Sequence, residues 1–330
     1  MKKYDVYGMG NAVVDYEIEV NDSFLLEHNV EPRLTTLVDA DRQSELVAAV
    51  GNRIKKKQAG GSGANSIVAH SQLGGSAFFS CKVANDLDGQ VFIDDLAKNG
   101  IDTNLVFEKL DEGITGKCLV MVTPNADRTM NTFLGITTNF SMDELREEAI
   151  TASEYLFIEG YLISSESGQQ AMKHAKKVAE EHGVKTSLTF SDPAMIKYFG
   201  DPMREVVGSG VDLLFCNEEE AQLFTGTKDT GQAREALKKF AKHFAITQGE
   251  NGAIIWDGET FVDIEPHEVE AVDTTGAGDM FSGAFLYAIT HGHSYAQAGK
   301  LASMASSKIV AQFGPRMNYY ELQELLNHLV

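Results

Sequence analysis

The spacing of apolar and polar positions changes several times along the chain, and each change marks an element. Residues 4–9 form a mostly apolar run ending at Gly8-Met9-Gly10, which predicts a first strand. Val13, Val14, Tyr16, Ile18 and Val20 have the alternating character of a half-buried strand, and residues 35–38 make a shorter β-like run. Residues 113–122 and 128–134 read as the two arms of a hairpin, joined through Thr123-Pro124-Asn125-Ala126-Asp127. Beyond the hairpin the pattern alternates. Residues 155–158, 185–190, 211–216 and 244–247 are predicted strands, and residues 168–181 a helix stopped by Gly183. Ser141-x-x-Glu144 is a capping box predicted to open a further helix.

Strands alternating with helices predict a parallel sheet covered on both faces. The β-rich pieces near the N-terminus and around residues 113–134 break that alternation. They predict a small second sheet, built from two insertions and placed as a lid over a ligand cleft, by analogy with other lids. The expected division is an α/β core of residues 1–10, 41–112 and 135–330, with a discontinuous β lid of residues 11–40 and 113–134.

Composition narrows the field. The 330 residues suit two units or one large α/β unit. With 43% apolar and 23% charged residues the chain is not of disordered, collagen-like or coiled-coil type. No apolar run approaches the ~18 residues of a membrane-spanning helix. Met1-Lys2-Lys3-Tyr4-Asp5 lacks the apolar stretch of a signal peptide. Cys81, Cys118 and Cys216 lie far apart, so a reducing compartment, the cytoplasm, and no disulfide framework are expected. Lys and Arg number 28 against 48 Asp and Glu, a net charge of −20. Such a surface repels nucleic acid and anionic membranes. An anionic ligand would have to find its positive potential in local backbone N–H groups or in a metal.

The strongest local signal is Asp273-Thr274-Thr275-Gly276-Ala277-Gly278-Asp279, followed by Met280, Phe281, Ala284, Phe285 and Ala288 at helical spacing. Small residues at 276–278 let a ligand approach the main chain, and their N–H groups at a helix N-terminus favour an anion. They could stabilise a phosphate during transfer, with Asp279 accepting a proton from an attacking hydroxyl. Read alone, the segment is equally a turn with Asp279 as helix cap. Gly60-Gly61-Ser62-Gly63-Ala64-Asn65 is a second glycine-rich helix opening. It lacks the Gly-Lys-Ser/Thr ending of a P-loop and suits a hydroxyl-rich ligand, with Asn65 as donor and acceptor, but read alone it is a structural turn. Gly8-x-Gly10 invites a dinucleotide-binding reading, but Val13 stands where the third glycine belongs and the chain continues as strand. Asn217-Glu218-Glu219-Glu220 and Thr247-Gln248-Gly249-Glu250-Asn251-Gly252 each follow a strand; alone, the first complements a helix dipole and the second makes a tight turn. His291-Gly292-His293 has no metal-binding spacing.

Together and in this order, these pieces resemble the ribokinase/PfkB family of carbohydrate and nucleoside kinases, and within it the adenosine kinase-like branch. Gly8-Met9-Gly10-Asn11 with Asp15 is similar to the N-terminal substrate segment, and Gly60-Gly61-Ser62-Gly63-Ala64-Asn65 to the first family signature. Asn85-Asp86-Leu87-Asp88-Gly89 is similar to an Asp-x-x-Gly turn, Asn217-x-x-Glu220 to an Asn-x-x-Glu motif, and Thr247-x-Gly249-x-x-Gly252 to the nucleotide-strand motif. Residues 273–279 resemble the second signature closely.

The resemblance implies a ribokinase-like three-layer α/β/α fold with a small β-sheet lid. It implies Asp279 as catalytic base and Gly276, Ala277 and Gly278 as the anion hole. Asn11, Asp15, Gly60, Gly61 and Asn65 would hold the acceptor, with Arg128 reaching it from the lid and Tyr161 offering a face to a base. Asn217, Thr247, Gly249 and Gly252 would frame ATP, with Glu220 holding Mg²⁺ through water. Asp273, Thr275 and Gly314 would surround a monovalent cation such as K⁺. Kinases of adenosine hold the base between aromatics, whereas Ser191-Asp192-Pro193-Ala194-Met195 puts small or aliphatic residues opposite Tyr161. The expectation is an ATP-dependent kinase, monomeric or homodimeric, phosphorylating a primary hydroxyl of a nucleoside or sugar. Its rivals are a kinase of free sugars or sugar acids, of ribokinase, fructokinase or ketodeoxygluconate kinase type, and a non-catalytic nucleotide- or sugar-binding sensor.

Overall fold

The computed structural model describes residues 2–124 and 128–329; the middle of the expected hairpin turn, Asn125, Ala126 and Asp127, lies outside them. Numbered along the chain, the strands are β1 Tyr4–Met9, β2 Val13–Glu19, β3 Thr35–Leu37, β4 Ile54–Gly60, β5 Ala77–Ser80, β6 Asp102–Thr103, β7 Gly116–Val122, β8 Arg128–Phe133, β9 Ser153–Glu159, β10 Lys185–Thr189, β11 Val211–Asn217, β12 Ala241–Thr247, β13 Ala253–Trp256 and β14 Phe261–Ile264.

Nine of them form one sheet in the order β14-β13-β12-β11-β10-β9-β1-β5-β6. From β12 to β6 every pairing is parallel; β13 and β14 extend the β12 edge as an antiparallel ribbon. A parallel sheet with helices on both faces buries successive side chains on opposite sides. Accordingly, Tyr155 and Phe157 of β9 and Leu213 and Phe215 of β11 join one apolar cluster, while Leu156, Ile158, Leu214 and Cys216 join the other. All three cysteines are free and buried, as core fillers. Among the described residues no helix is long and apolar enough to cross a membrane.

The second sheet has the order β3-β8-β7-β2-β4. The hairpin β7–β8 pairs antiparallel, and β2 runs parallel to β7 and antiparallel to β4. The expected boundary at residue 40 is therefore displaced, because β4 belongs to this sheet. Lys55, Lys56 and Lys57 on β4 are exposed. An edge strand of successive lysines protects the sheet from pairing with other chains but shows no alternation. Ser141 and Glu144 do form a capping box, yet it closes only the 3₁₀ turn Met142–Glu144, and the next helix starts afresh at Glu147. The Asp86 motif joins core to small sheet: its carboxylate accepts from Gly89 N–H (2.7 Å), Thr115 N–H (2.9 Å) and Thr115 Oγ1 (2.6 Å), just before β7.

Candidate active site

The C-terminal ends of parallel strands are where open α/β sheets bind ligands. Here Thr189, Asn217 and Thr247, ending β10, β11 and β12, line a cavity of about 460 Å³ whose other wall is the small sheet, through Val13, Asp15, Val120, Arg128 and Met130. A second cavity of about 760 Å³ is lined by Thr247, Gly249, Gly252, His267 and Ser307, among others. The two share Thr274, Ala277 and Gly278, so they meet at one loop.

That loop opens the helix Ala277–Thr290, whose N-cap is Gly276 in the left-handed region (φ 80°). A β-carbon at Gly276 would come within 2.7 Å of Pro315 Cα, so only glycine lets the loop lie on Pro315 as it does. Asp279 is not the cap. It stands in the first turn with its carboxylate against one distant stretch of sequence, accepting from Ser62 Oγ at 2.6 Å and Asn65 Nδ2 at 3.1 Å. Burial raises its pKa above the ordinary carboxylate value, while the Ser62 and Asn65 hydrogen bonds and the charge of Arg316 pull the other way.

Ser62 and Asn65 come from the helix Ser62–Gln72, capped by Gly61. Gly60 ends β4 against the Asp15 carboxylate, where a β-carbon would collide with Asp15 Oδ2. Asp15 lines the cavity half-buried from the middle of β2, its main chain in register with Gln58 of β4 and Cys118 of β7 and its carboxylate in no hydrogen bond among the described residues. Burial pushes its pKa up to about 7, with Asp279 adding repulsion and Arg316, Arg128 and Lys56 offsetting part of it. Asn11 is not a lining residue. It sits behind the wall, its N–H donating to Glu159 Oε2 (2.5 Å) and its Oδ1 accepting from Thr137 Oγ1 (3.3 Å).

Two residues of this region have no counterpart in the sequence reading. Arg316 donates through Nε to Asn65 Oδ1 (2.9 Å) and pairs with Asp95. It therefore fixes which face of the Asn65 amide meets Asp279. Glu159, ending β9, is 1% exposed, and burial pushes its pKa up to about 8, the Asn11 and Gly63 N–H groups opposing that shift. Glu159 ionises near 4.5 ordinarily, so between pH 4.5 and 8 the folded state holds one proton more than the unfolded chain and loses stability as pH rises. Glu159→Gln removes that titration. Relative to wild type, the variant should gain up to ~1.4 kcal/mol per pH unit across this window in urea unfolding. Parallel stability curves for the two proteins would mean that Glu159 is ionised in the folded state.

Asn217 and Glu220, which line the smaller cavity, form a reciprocal cap. Glu220 Oε2 accepts Asn217 N–H (2.9 Å), Oε1 accepts Asn217 Nδ2 (3.1 Å), and Asn217 Oδ1 accepts Glu220 N–H (2.8 Å). Burial pushes Glu220 to about 7, with Asp192 and Glu219 adding like charge. Tyr161 lines the first cavity, but Ala194 and Met195 do not, and Met195 packs against the core. Asp273 is buried beside the loop of residues 274–278. Its Oδ1 accepts Thr275 N–H and its Oδ2 accepts Gly314 N–H, both at 3.0 Å, and Arg128 Nη1 lies 2.9 Å from Oδ2.

The pattern of the pfkB family carbohydrate kinases matches residues 36–320. The chain belongs to the PfkB family. A probable sugar kinase from Rhizobium etli is 30% identical, with TM-score 0.89 and full coverage of both chains. An adenosine kinase from Sinorhizobium meliloti is 31% identical, with TM-score 0.88, over 99% of this chain and 100% of that one. A ribokinase from Staphylococcus aureus is 27% identical over 306 residues, 88% of this chain and 96% of the relative. The protein is thus a PfkB-family sugar or nucleoside kinase with the ribokinase-like fold: a large, mostly parallel sheet and a smaller second one.

Proposed function

We propose that this PfkB kinase transfers the γ-phosphoryl group of ATP to a primary hydroxyl of a ribonucleoside of adenosine type. The observation that carries the transfer is the position of Asp279 and the 276–278 amides where the two cavities meet. An acceptor in the smaller cavity and a triphosphate in the larger one would face each other across that loop. Asp279 takes the hydroxyl proton; the helix N-terminus, with the N–H groups of Gly276 and Gly278 beside an Ala277 N–H that donates to Thr274 O (3.2 Å), meets the growing charge on the transferred phosphoryl. The raised pKa of Asp279 makes it a stronger base than an exposed carboxylate.

Mg²⁺ fits the chain at Glu220. A buried carboxylate raised to about 7 by burial, Asp192 and Glu219 is a group that a divalent cation would stabilise, through water given its existing bonds to Asn217. When bound, the ion neutralises phosphate charge; Asn217 holds the Glu220 carboxylate in place for it.

The acceptor class rests on Asp15. Its carboxylate lines the cavity half-buried and without a hydrogen bond among the described residues, and two neighbouring hydroxyls would satisfy both of its oxygens. Adenosine or another ribonucleoside should therefore surpass its 2′-deoxy analogue by at least ~10-fold in kcat/KM, about 1.4 kcal/mol. Equal activity on the deoxy compound would mean that Asp15 does not read that hydroxyl. Base identity should be read loosely, since Tyr161 has no aromatic partner at residues 194–195. That same gap favours the second reading, a kinase of free sugars. A coupled assay for ADP release over nucleosides, pentoses, hexoses and sugar acids separates the two: turnover confined to the sugars removes the nucleoside preference and leaves the kinase.

A further inference from the structure

The family resemblance puts a monovalent cation beside Asp273, Thr275 and Gly314, and the donor set here does not fit one. Asp273 Oδ2 already serves Gly314 N–H and the Arg128 guanidinium, and Oδ1 serves Thr275 N–H. The side chains of Arg128 and Asp273 are only 10% and 4% exposed, so this pair is an enclosed one, not a solvated surface contact. The ring of Phe313 closes the other side, its centroid 5.2 Å from Arg128 Cζ. A metal cation brought to Asp273 would stand against a fixed positive charge.

We propose that the Arg128 guanidinium replaces the monovalent cation, so that the anion loop is held by the small sheet and not by K⁺. Asp273 then ties three segments with one carboxylate: the start of β8, the residues preceding the anion hole, and the loop at Gly314. The charge that a dissociable ion would supply becomes part of the chain, and it arrives only when β8 lies against the core. In a molecule of net charge −20 this matters, because among the described residues lining the two cavities Arg128 is the only Lys or Arg. The proposal deepens the phosphoryl-transfer reading, but its stability consequences do not depend on that reading.

The test compares wild type and Arg128→Gln in KCl and in choline chloride at equal ionic strength, by melting temperature of the ligand-free protein and by kcat for ADP release. Wild type should show the same melting temperature and the same kcat in both salts. Arg128→Gln exposes the Asp273 carboxylate, so K⁺ should raise its melting temperature and raise its kcat ~5-fold or more over choline, the low end of ordinary site coupling. K⁺-dependent activation or stabilisation of wild type overturns the proposal, as does a folded Arg128→Gln indifferent to K⁺. If that variant does not fold, the wild-type comparison decides alone. A wild type that transfers phosphate to no acceptor refutes the kinase reading, while the melting comparison still tests the replacement.

Discussion

Asp279→Asn should lower kcat by ~10²–10⁴-fold, the range for loss of a general base. Binding of acceptor and nucleotide should change little. The site can accommodate the amide without disruption. Arg316 holds Asn65 so that its Nδ2 points at residue 279. The carbonyl oxygen of the introduced amide can accept that bond while its NH₂ group donates to Ser62 Oγ. What the amide cannot do is take a proton from a hydroxyl. Calorimetric titration and steady-state kinetics on the same preparation separate the two effects. A folded variant with near-wild-type kcat would remove Asp279 from the chemistry.

The second large effect is expected at Gly276. Gly276→Ala places a methyl group against Pro315 Cα and Cβ, both 2.7 Å from the ideal β-carbon, on a backbone with φ of 80° that alanine rarely adopts. The loop must move, and the amides of residues 276–278 move with it. Loss of one such donor costs ~10²–10³ in kcat in comparable anion holes. The acceptor should still bind, because Asp15 and Asn65 stand on other elements. A kcat loss with acceptor affinity kept is the expected signature; a fall in acceptor affinity alone, with kcat intact, would show that these amides serve binding and not the transferred phosphoryl.

Much of the fold was legible because the alternation of buried strands and helices is a strong local signal. Tyr4–Met9 and the strands at residues 155–158 and 211–216 were visible as apolar runs, and the hairpin by its turn residues. β4 was not, since Lys55, Lys56 and Lys57 reflect protection of a sheet edge and carry no period. The β13–β14 ribbon is short and follows a tight turn that by itself says nothing about pairing. At the site, residues 273–279 and 60–65 announced themselves through glycine. Glu159 directly follows the apolar residues 155–158, and its neighbours Asn11 and Gly63 come from distant segments that no local pattern connects to it. Arg316 acts on Asn65 from 251 residues away, a relation no local pattern holds. The Arg128–Asp273 pair likewise exists only once the small sheet meets the core. In it Asp273, expected as a cation ligand, stands 2.9 Å from the Arg128 guanidinium.

The central claim is tested most directly by mixing the enzyme with ATP, Mg²⁺ and adenosine in a single turnover and identifying the products. The prediction is ADP and an adenosine 5′-phosphate monoester formed in equal amounts by wild type, and neither formed at that rate by Asp279→Asn. Binding of both ligands by wild type with no phosphate transferred to adenosine or to any acceptor of the panel would contradict it and leave a binding protein in place of a kinase.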